Sequence, residues 1–164
     1  MDIYSEYDIK SLTIKAKEKN LEAFEEVYNF NVPKIYALCL RMTSDDELSN
    51  RLTKEIFLDA WKNLSNYDEQ ISFELWVTTI AVKRIIAGVK NTTNKDIVED
   101  KTNSSVNIVE SKLICLQEME RLIFILYDIE KFSFKDITFV TSMTIKEVKT
   151  LLIKARLKLL REIR

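Results

Sequence analysis

The chain has 164 residues, enough for one large helical domain or two small ones but too few for three. One Gly and one Pro beside 46% hydrophobic and 31% charged residues leave too few turn formers for an all-β fold. With no histidine, only two cysteines and no Gly-rich phosphate loop, neither a catalytic centre, a metal site nor a cofactor site is expected, and the net charge of -1 speaks against a strongly cationic nucleic-acid binder.

The first residues, MDIYSEYDIK, have neither a basic start nor an apolar run. Cys39 and Cys115 both fall in apolar stretches. A cytoplasmic protein with no membrane insertion and no disulfide framework is therefore expected.

Apolar residues then recur at helical spacing: Phe24, Val27 and Tyr28, next Ile35, Leu38, Cys39 and Met42, next Leu52, Ile56, Phe57, Ala60, Trp61 and Leu64. These predict successive packed helices. Asn20 is positioned to cap the helix that carries Phe24, and Ser44-Asp45-Asp46-Glu47 has the form of a capping box. Pro33 is expected near a helix start or a break.

The polar run from Ser65 to Ser72 interrupts the apolar period and predicts a loop. After it, Phe73, Trp76, Val77, Ile80 and Ala81 mark one side of a helix whose far end carries Lys83, Arg84 and Lys90. From Asn91 to about Ser111 there is no aromatic residue and no helical period, while Asn, Thr and Ser abound. That span predicts a linker, because structureless loops of this length are uncommon within compact folds. The fold class is thus all-α, with helical domains at 1–90 and 112–164 joined by a flexible linker at 91–111.

In the last third, a helix is expected from about Leu113 to Asp128. Two capping boxes follow, Ser133-Phe134-Lys135-Asp136 and Thr144-Ile145-Lys146-Glu147, eleven residues apart. They open a short helix and a longer one across a turn of about three residues, which is the pattern of a helix-turn-helix. The second helix is expected to bury Val148, Leu152, Ala155 and Leu159 and to offer Lys146, Lys149, Thr150 and Lys154 outward.

Charge supports a nucleic-acid role for this end. Thr144 to Arg164 holds seven Lys/Arg against two Glu, a surplus of +5 that leaves the first 143 residues at -6. A solvated basic helix end is the plain alternative.

The segment from Leu116 to Glu162 resembles region four of bacterial RNA polymerase sigma factors of the extracytoplasmic-function group, at Leu116, Arg121, Phe124, Leu126, Asp128, Glu130, Ser133, Ile137, Val148, Lys149, Leu152, Ala155, Arg156 and Leu159. The segment from Ala23 to Lys90 is similar to region two of that group, through AF-x-x-V-Y at 23 to 28, LTKEIFLDAW at 52 to 61, and SFELW followed by IA at 72 to 81.

The resemblance implies a non-enzymatic transcription initiation factor whose partners are core RNA polymerase and promoter DNA. It implies polymerase contacts near Leu52, Glu55, Phe57 and Leu58. It further implies minus-ten melting by the loop and helix from Asn66 to Arg84, with Trp76, Lys83 and Arg84 at the DNA, and minus-thirty-five reading by the helix from Ile145 to Lys158, with Lys146, Lys149, Thr150 and Lys154 at the DNA.

The pattern is broken at identifiable places. Arg51 and Lys54 are cationic where the family usually has an acidic residue and Gln, and Thr79 and Val82 stand where Arg is frequent. Leu151, Ile153, Leu157 and Leu160 replace Arg, His or Lys in the reading helix. Of these, Ile153, Leu157 and Leu160 form a stripe open to several readings: an unusual promoter code, or a contact with the polymerase flap, an anti-sigma protein or a second copy, or burial against the helix from Leu113. A sigma-like interaction module that binds an anti-sigma protein or a partner sigma, with little or no promoter reading, is the alternative function.

Overall fold

The computed structural model describes residues 6–93 and 112–162, and all the helices and strands it assigns there are helices. They are α1 (Glu6–Lys17), α2 (Leu21–Thr43), α3 (Asp46–Asn63), α4 (Phe73–Thr93), α5 (Glu118–Phe124), α6 (Phe134–Thr141) and α7 (Ile145–Glu162). A 3₁₀ turn, Leu64–Asn66, follows α3, and α5 continues into a π turn, Ile125–Ile129.

Local chemistry sets most of the starts. Asn20 Oδ1 accepts from Ala23 N at 2.9 Å, as its cap position predicts. At α3 the cap lies one residue later than the Ser44 capping box implies: Asp45 Oδ1 accepts from Leu48 N at 2.9 Å. Ser44 instead closes α2, with φ of 54° and its N–H donating to Leu40 O at 2.8 Å. One residue cannot serve as a left-handed C-cap and an extended N-cap at once.

Pro33 lies inside α2 rather than at a break. Pro33 and Asn29, whose carbonyl has lost its i+4 donor, are both exposed, so water can satisfy the freed group. The expected helix from Leu113 also begins later. Gln117 N donates to Glu120 Oε2 at 3.2 Å and opens α5, while the buried Leu113 lies in a separate helical stretch, 112–113, that a turn at 114–115 divides from it.

Helix α1 has no counterpart in the apolar pattern. It buries Ile9, Thr13 and Ala16, and the middle residue is a threonine whose hydroxyl donates to Ile9 O at 2.7 Å. Helices α2, α3 and α4 close around Val27, Ile35, Leu38, Leu52, Ile56, Ala60, Val77, Ala81 and Ile85. Gly88, the chain's one glycine, is where α4 comes close to α3: a Cβ there would stand 3.1 Å from Leu52 Cδ2.

The second cluster of helices packs α7 on α5 and α6 through Leu122, Leu126, Ile137, Val140, Val148, Leu152 and Ala155. The two clusters touch. Arg41 Nη1 meets Glu130 Oε1 at 2.6 Å, Arg121 Nη1 donates to Met42 O at 2.8 Å, and α6 lies against α4. Helix α4 continues through Thr93, three residues into the span read as a linker, and the rest of that span, 94–111, lies outside the described residues.

Candidate nucleic-acid interface

The helix-turn-helix forms as its two caps predict. Ser133 Oγ accepts from Asp136 N at 3.2 Å and Asp136 Oδ2 accepts from Ser133 N at 3.1 Å. Thr144 Oγ1 accepts from Glu147 N at 3.3 Å, and Glu147 Oε2 accepts from Thr144 N at 2.8 Å. Between the helices Ser142 turns the chain with φ of 58°, a conformation that lets three residues reverse direction.

Helix α7 presents two faces. Val148, Leu152 and Ala155 are buried, with Leu159 half-buried beside them. Lys146, Lys149, Thr150 and Lys154 are exposed on the other side, facing outward as the helical spacing predicts. The Lys149 ammonium also lies 5.3 Å from the centre of the Phe134 ring, which is stacked on Tyr127 at 4.5 Å. This contact orients the lysine without neutralising it.

Other cations of α7 do structural work. Arg156 grips Asp128 through Nε to Oδ2 at 2.9 Å and Nη2 to Oδ1 at 2.5 Å, and lies over Tyr127. Lys158 reaches the buried carboxylate of Glu120 at 2.7 Å. Burial alone would push the Glu120 carboxyl up, but Lys158 and the Gln117 N–H outweigh it and hold the group below its ordinary value. The positive surplus of this end is thus divided, with Arg156 and Lys158 fastening α7 and Lys146, Lys149, Lys154 and Arg161 exposed.

The stripe of Ile153, Leu157 and Leu160 is 58%, 52% and 62% exposed, so it is not packed against the helices before it. Leu151 is half-buried and joins the core.

A second surface lies on α3 and α4. The Ser65–Ser72 loop is pinned by Lys17, whose Nζ donates to Tyr67 O at 3.1 Å and meets Glu69 Oε1 at 3.0 Å. Tyr67 is buried, although the run reads as polar; its ring meets Phe73 and Trp76 with centroids 6.0 and 5.4 Å away. Burial and then the neighbouring Glu69 and Asp68 push its hydroxyl up to about 12, and it donates to Ile71 O at 2.7 Å. Trp76 therefore stands on an aromatic base. It borders a cleft of about 700 Å³, lined also by Asn66, Thr79, Lys83, Arg84 and Phe139 from α6.

Within that cleft Lys83 is exposed, but Arg84 is bound to Asp59 and stands 3.6 Å from Glu55 Oε2. The Arg84 guanidinium holds the Asp59 carboxyl below its ordinary value. A phosphate at Arg84 would have to compete with two carboxylates. Val82 is buried, so its lack of charge removes nothing from this surface, whereas Thr79 does line the cleft.

The expected polymerase contacts need correction. Leu52 and Phe57 are each 3% exposed, on the inward face of α3, with Phe57 edge-on to Tyr28 at 4.7 Å. Helical period puts positions 52, 56 and 60 toward the core, so neither side chain can meet a partner without unpacking the bundle. Glu55 and Leu58 remain at the surface, Leu58 at 56% exposure beside the exposed Arg51, Lys54 and Lys62.

Missing from the sequence-level site are Tyr67, Phe73 and Phe139, together with the anchors Asp128 and Glu120. An aromatic in a polar loop was the available signal for Tyr67. Phe139 had none, because its contact crosses between the two helical clusters.

This arrangement of a four-helix bundle and a helix-turn-helix, each with an exposed cationic edge, has close parallels among known proteins. Residues 27–94 match the family model of Sigma-70 region 2. An extracytoplasmic-function (ECF) RNA polymerase sigma factor, SigK of Mycobacterium tuberculosis strain H37Rv, is 30% identical over 84 residues, 51% of this chain and 45% of that protein. SigK of Mycobacterium sp. strain KMS is 23% identical over 122 residues, 71% of this chain and 63% of that protein. The chain thus spans less than two thirds of either relative.

Among solved structures, CnrH in complex with the cytosolic domain of CnrY superposes with a TM-score of 0.75 at 18% identity, covering 95% of this chain and 97% of that one. The sigma factor RpoE in complex with the anti-sigma factor NepR, from Bartonella quintana, superposes with a TM-score of 0.72 at 16% identity, covering 85% and 95%. The likeness to ECF sigma factors is thus one of sequence over about half of the chain and of helical fold over most of it. Among the described residues, no helix is long and apolar enough to cross a membrane.

Proposed function

We propose that this protein is a non-catalytic transcription initiation factor that binds core RNA polymerase in the cytoplasm and directs it to promoter DNA. Residues 1–90 and 112–164 act as two modules joined through 91–111. The observation that carries this reading is the open cationic N-terminal half of α7, where Lys146, Lys149 and Lys154 flank Thr150 on a capped helix-turn-helix. Such a helix enters a major groove with its first turns at base edges and its lysines at phosphates.

Trp76 and Lys83 border the cleft at which the first module would hold a melted minus-ten strand, through base stacking and phosphate contact. Glu55 and Leu58 are the polymerase contacts that α3 leaves available. The test is reconstitution: purified protein and core polymerase on promoter DNA should give specific initiation, and Lys149→Ala should lower it. Polymerase binding with random start sites would refute promoter selection.

A second reading, a sigma-like module that binds an anti-sigma protein or a partner sigma with reduced promoter reading, is favoured by the apolar stripe standing exposed on α7. The complexes of RpoE with NepR and of CnrH with CnrY support looking for such a partner. Tight binding to a helical partner without initiation would select this reading.

A further inference from the structure

Ile153, Leu157 and Leu160 recur at i, i+4 and i+7 and share one line along α7, opposite the buried Val148, Leu152 and Ala155. At 1.5 Å per residue, Leu157 and Leu160 stand roughly 18 and 22 Å along the helix from Ile145. Base edges are met by the first turns of such a helix, so the last two lie beyond them. A leucine has nothing to offer a phosphate.

Charge distinguishes the possible occupants. Lys154 and Arg161 lie along one flank of the line, both exposed and neither in an ion pair among the described residues. Arg156 and Lys158 are committed to Asp128 and Glu120, and Glu147 is held at the cap by Thr144. The stripe therefore has a cationic border and no free carboxylate beside it to compensate. A second copy would bring Lys154 and Arg161 against their own equivalents, and three side chains offer on the order of 300 Å², well short of the ~800 Å² per partner of a stable interface.

We propose that this stripe docks an amphipathic helix of a protein partner, with apolar residues at i, i+3 or i+4, and i+7, and Asp or Glu beside them to face Lys154 and Arg161. Apolar anchors would seat in the line, and the opposite charges would select the partner and its direction. The proposal deepens the protein-contact reading of α7 and does not require promoter selection to be retained.

The probe is a fluorescent 18-residue helical peptide with leucines at that spacing and Glu at the flanking positions, beside a twin with Lys at the same positions. Fluorescence anisotropy with the full chain should show the Glu peptide binding at least tenfold more tightly than the Lys peptide. Leu157→Ser should weaken it at least tenfold, Lys154→Glu with Arg161→Glu should reverse the preference, and Lys62→Ala, an exposed cation on α3, should leave it within twofold. Circular dichroism of each variant checks that it folds, and Leu160→Ser replaces Leu157→Ser if it does not.

No binding of the Glu peptide, equal binding of both peptides, or binding indifferent to both serine variants would overturn the proposal. So would concentration-dependent dimerisation abolished by Leu157→Ser, which would assign the stripe to a second copy. Running the initiation assay in parallel keeps the two questions apart. Promoter-specific initiation without peptide binding defeats the docking proposal alone, and peptide binding without initiation defeats the initiation reading alone.

Discussion

Arg41, near the end of α2, and Glu130, just after the π turn that ends α5, join the two helical clusters at 2.6 Å, with side chains 23% and 17% exposed. They are 89 residues apart in sequence, so the pair reports on docking of one cluster upon the other rather than on the folding of either. Minus-ten and minus-thirty-five elements lie some 25 base pairs apart, roughly 85 Å at 3.4 Å per step. If both are read, the docked arrangement must open.

Arg41→Ala should therefore favour the open form, leaving Glu130 half-buried without its partner, at a cost to docking of about 1–3 kcal/mol. Small-angle scattering should show a larger radius of gyration than for the parent chain. An unchanged radius would mean that other contacts hold the clusters together.

The same pair gives docking a pH dependence of defined sign. Burial pushes the Glu130 carboxyl above its ordinary value of 4.5, and Arg41 only partly offsets this. A raised folded-state value means that docking binds protons, so its contribution is fully present below 4.5 and declines as pH rises through the elevated value. The radius of gyration should accordingly be smaller on the acid side of that window, and Glu130→Gln should abolish the trend.

Glu120 has the opposite sign. Its value is depressed despite burial, so its contribution to holding α7 is present above 4.5 and is lost as pH falls through the lower folded value. Lys158→Ala would strand a carboxylate that is 3% exposed, and thermal melts at neutral pH should show a loss of about 1–3 kcal/mol. A melt unaffected by Lys158→Ala would show that the pair carries no net stability.

Loss of a phosphate contact at α7 should be visible in salt dependence. If Lys149 or Lys154 touches the backbone, replacing either by Ala should reduce the slope of log affinity against log salt by about one, with weakening spread over all sequences. Ile153→Ala should leave DNA affinity unchanged. Equal losses from all three would move the stripe into the groove.

The thiols offer a check on the packing. Cys39 is buried, and burial pushes its thiol up to about 11 in spite of a hydrogen bond from Thr53, whereas Cys115 is exposed. One equivalent of a maleimide at neutral pH should modify Cys115 and spare Cys39 until the protein is denatured. Early labelling of Cys39 would mean that α2 is not packed as described.

What the residues determine by themselves is local. The caps at Asn20, Ser133 and Thr144 each depend on a side chain and an N–H three residues away, and the stripe of Val148, Leu152 and Ala155 depends only on the helical period. Tertiary structure decided how side chains of the same type are used. Leu52 and Phe57 face inward while Leu58 faces out, because the orientation of α3 follows from what α2 and α4 offer it. Arg84, Arg156 and Lys158 read like Lys149 in the sequence, yet each finds a carboxylate 25, 28 or 38 residues away. Ile153, Leu157 and Leu160 have the spacing of a core, but among the described residues only the opposite side of α7 is packed against. Burial and pairing are properties of the space between helices, and the period of a single helix carries no record of them.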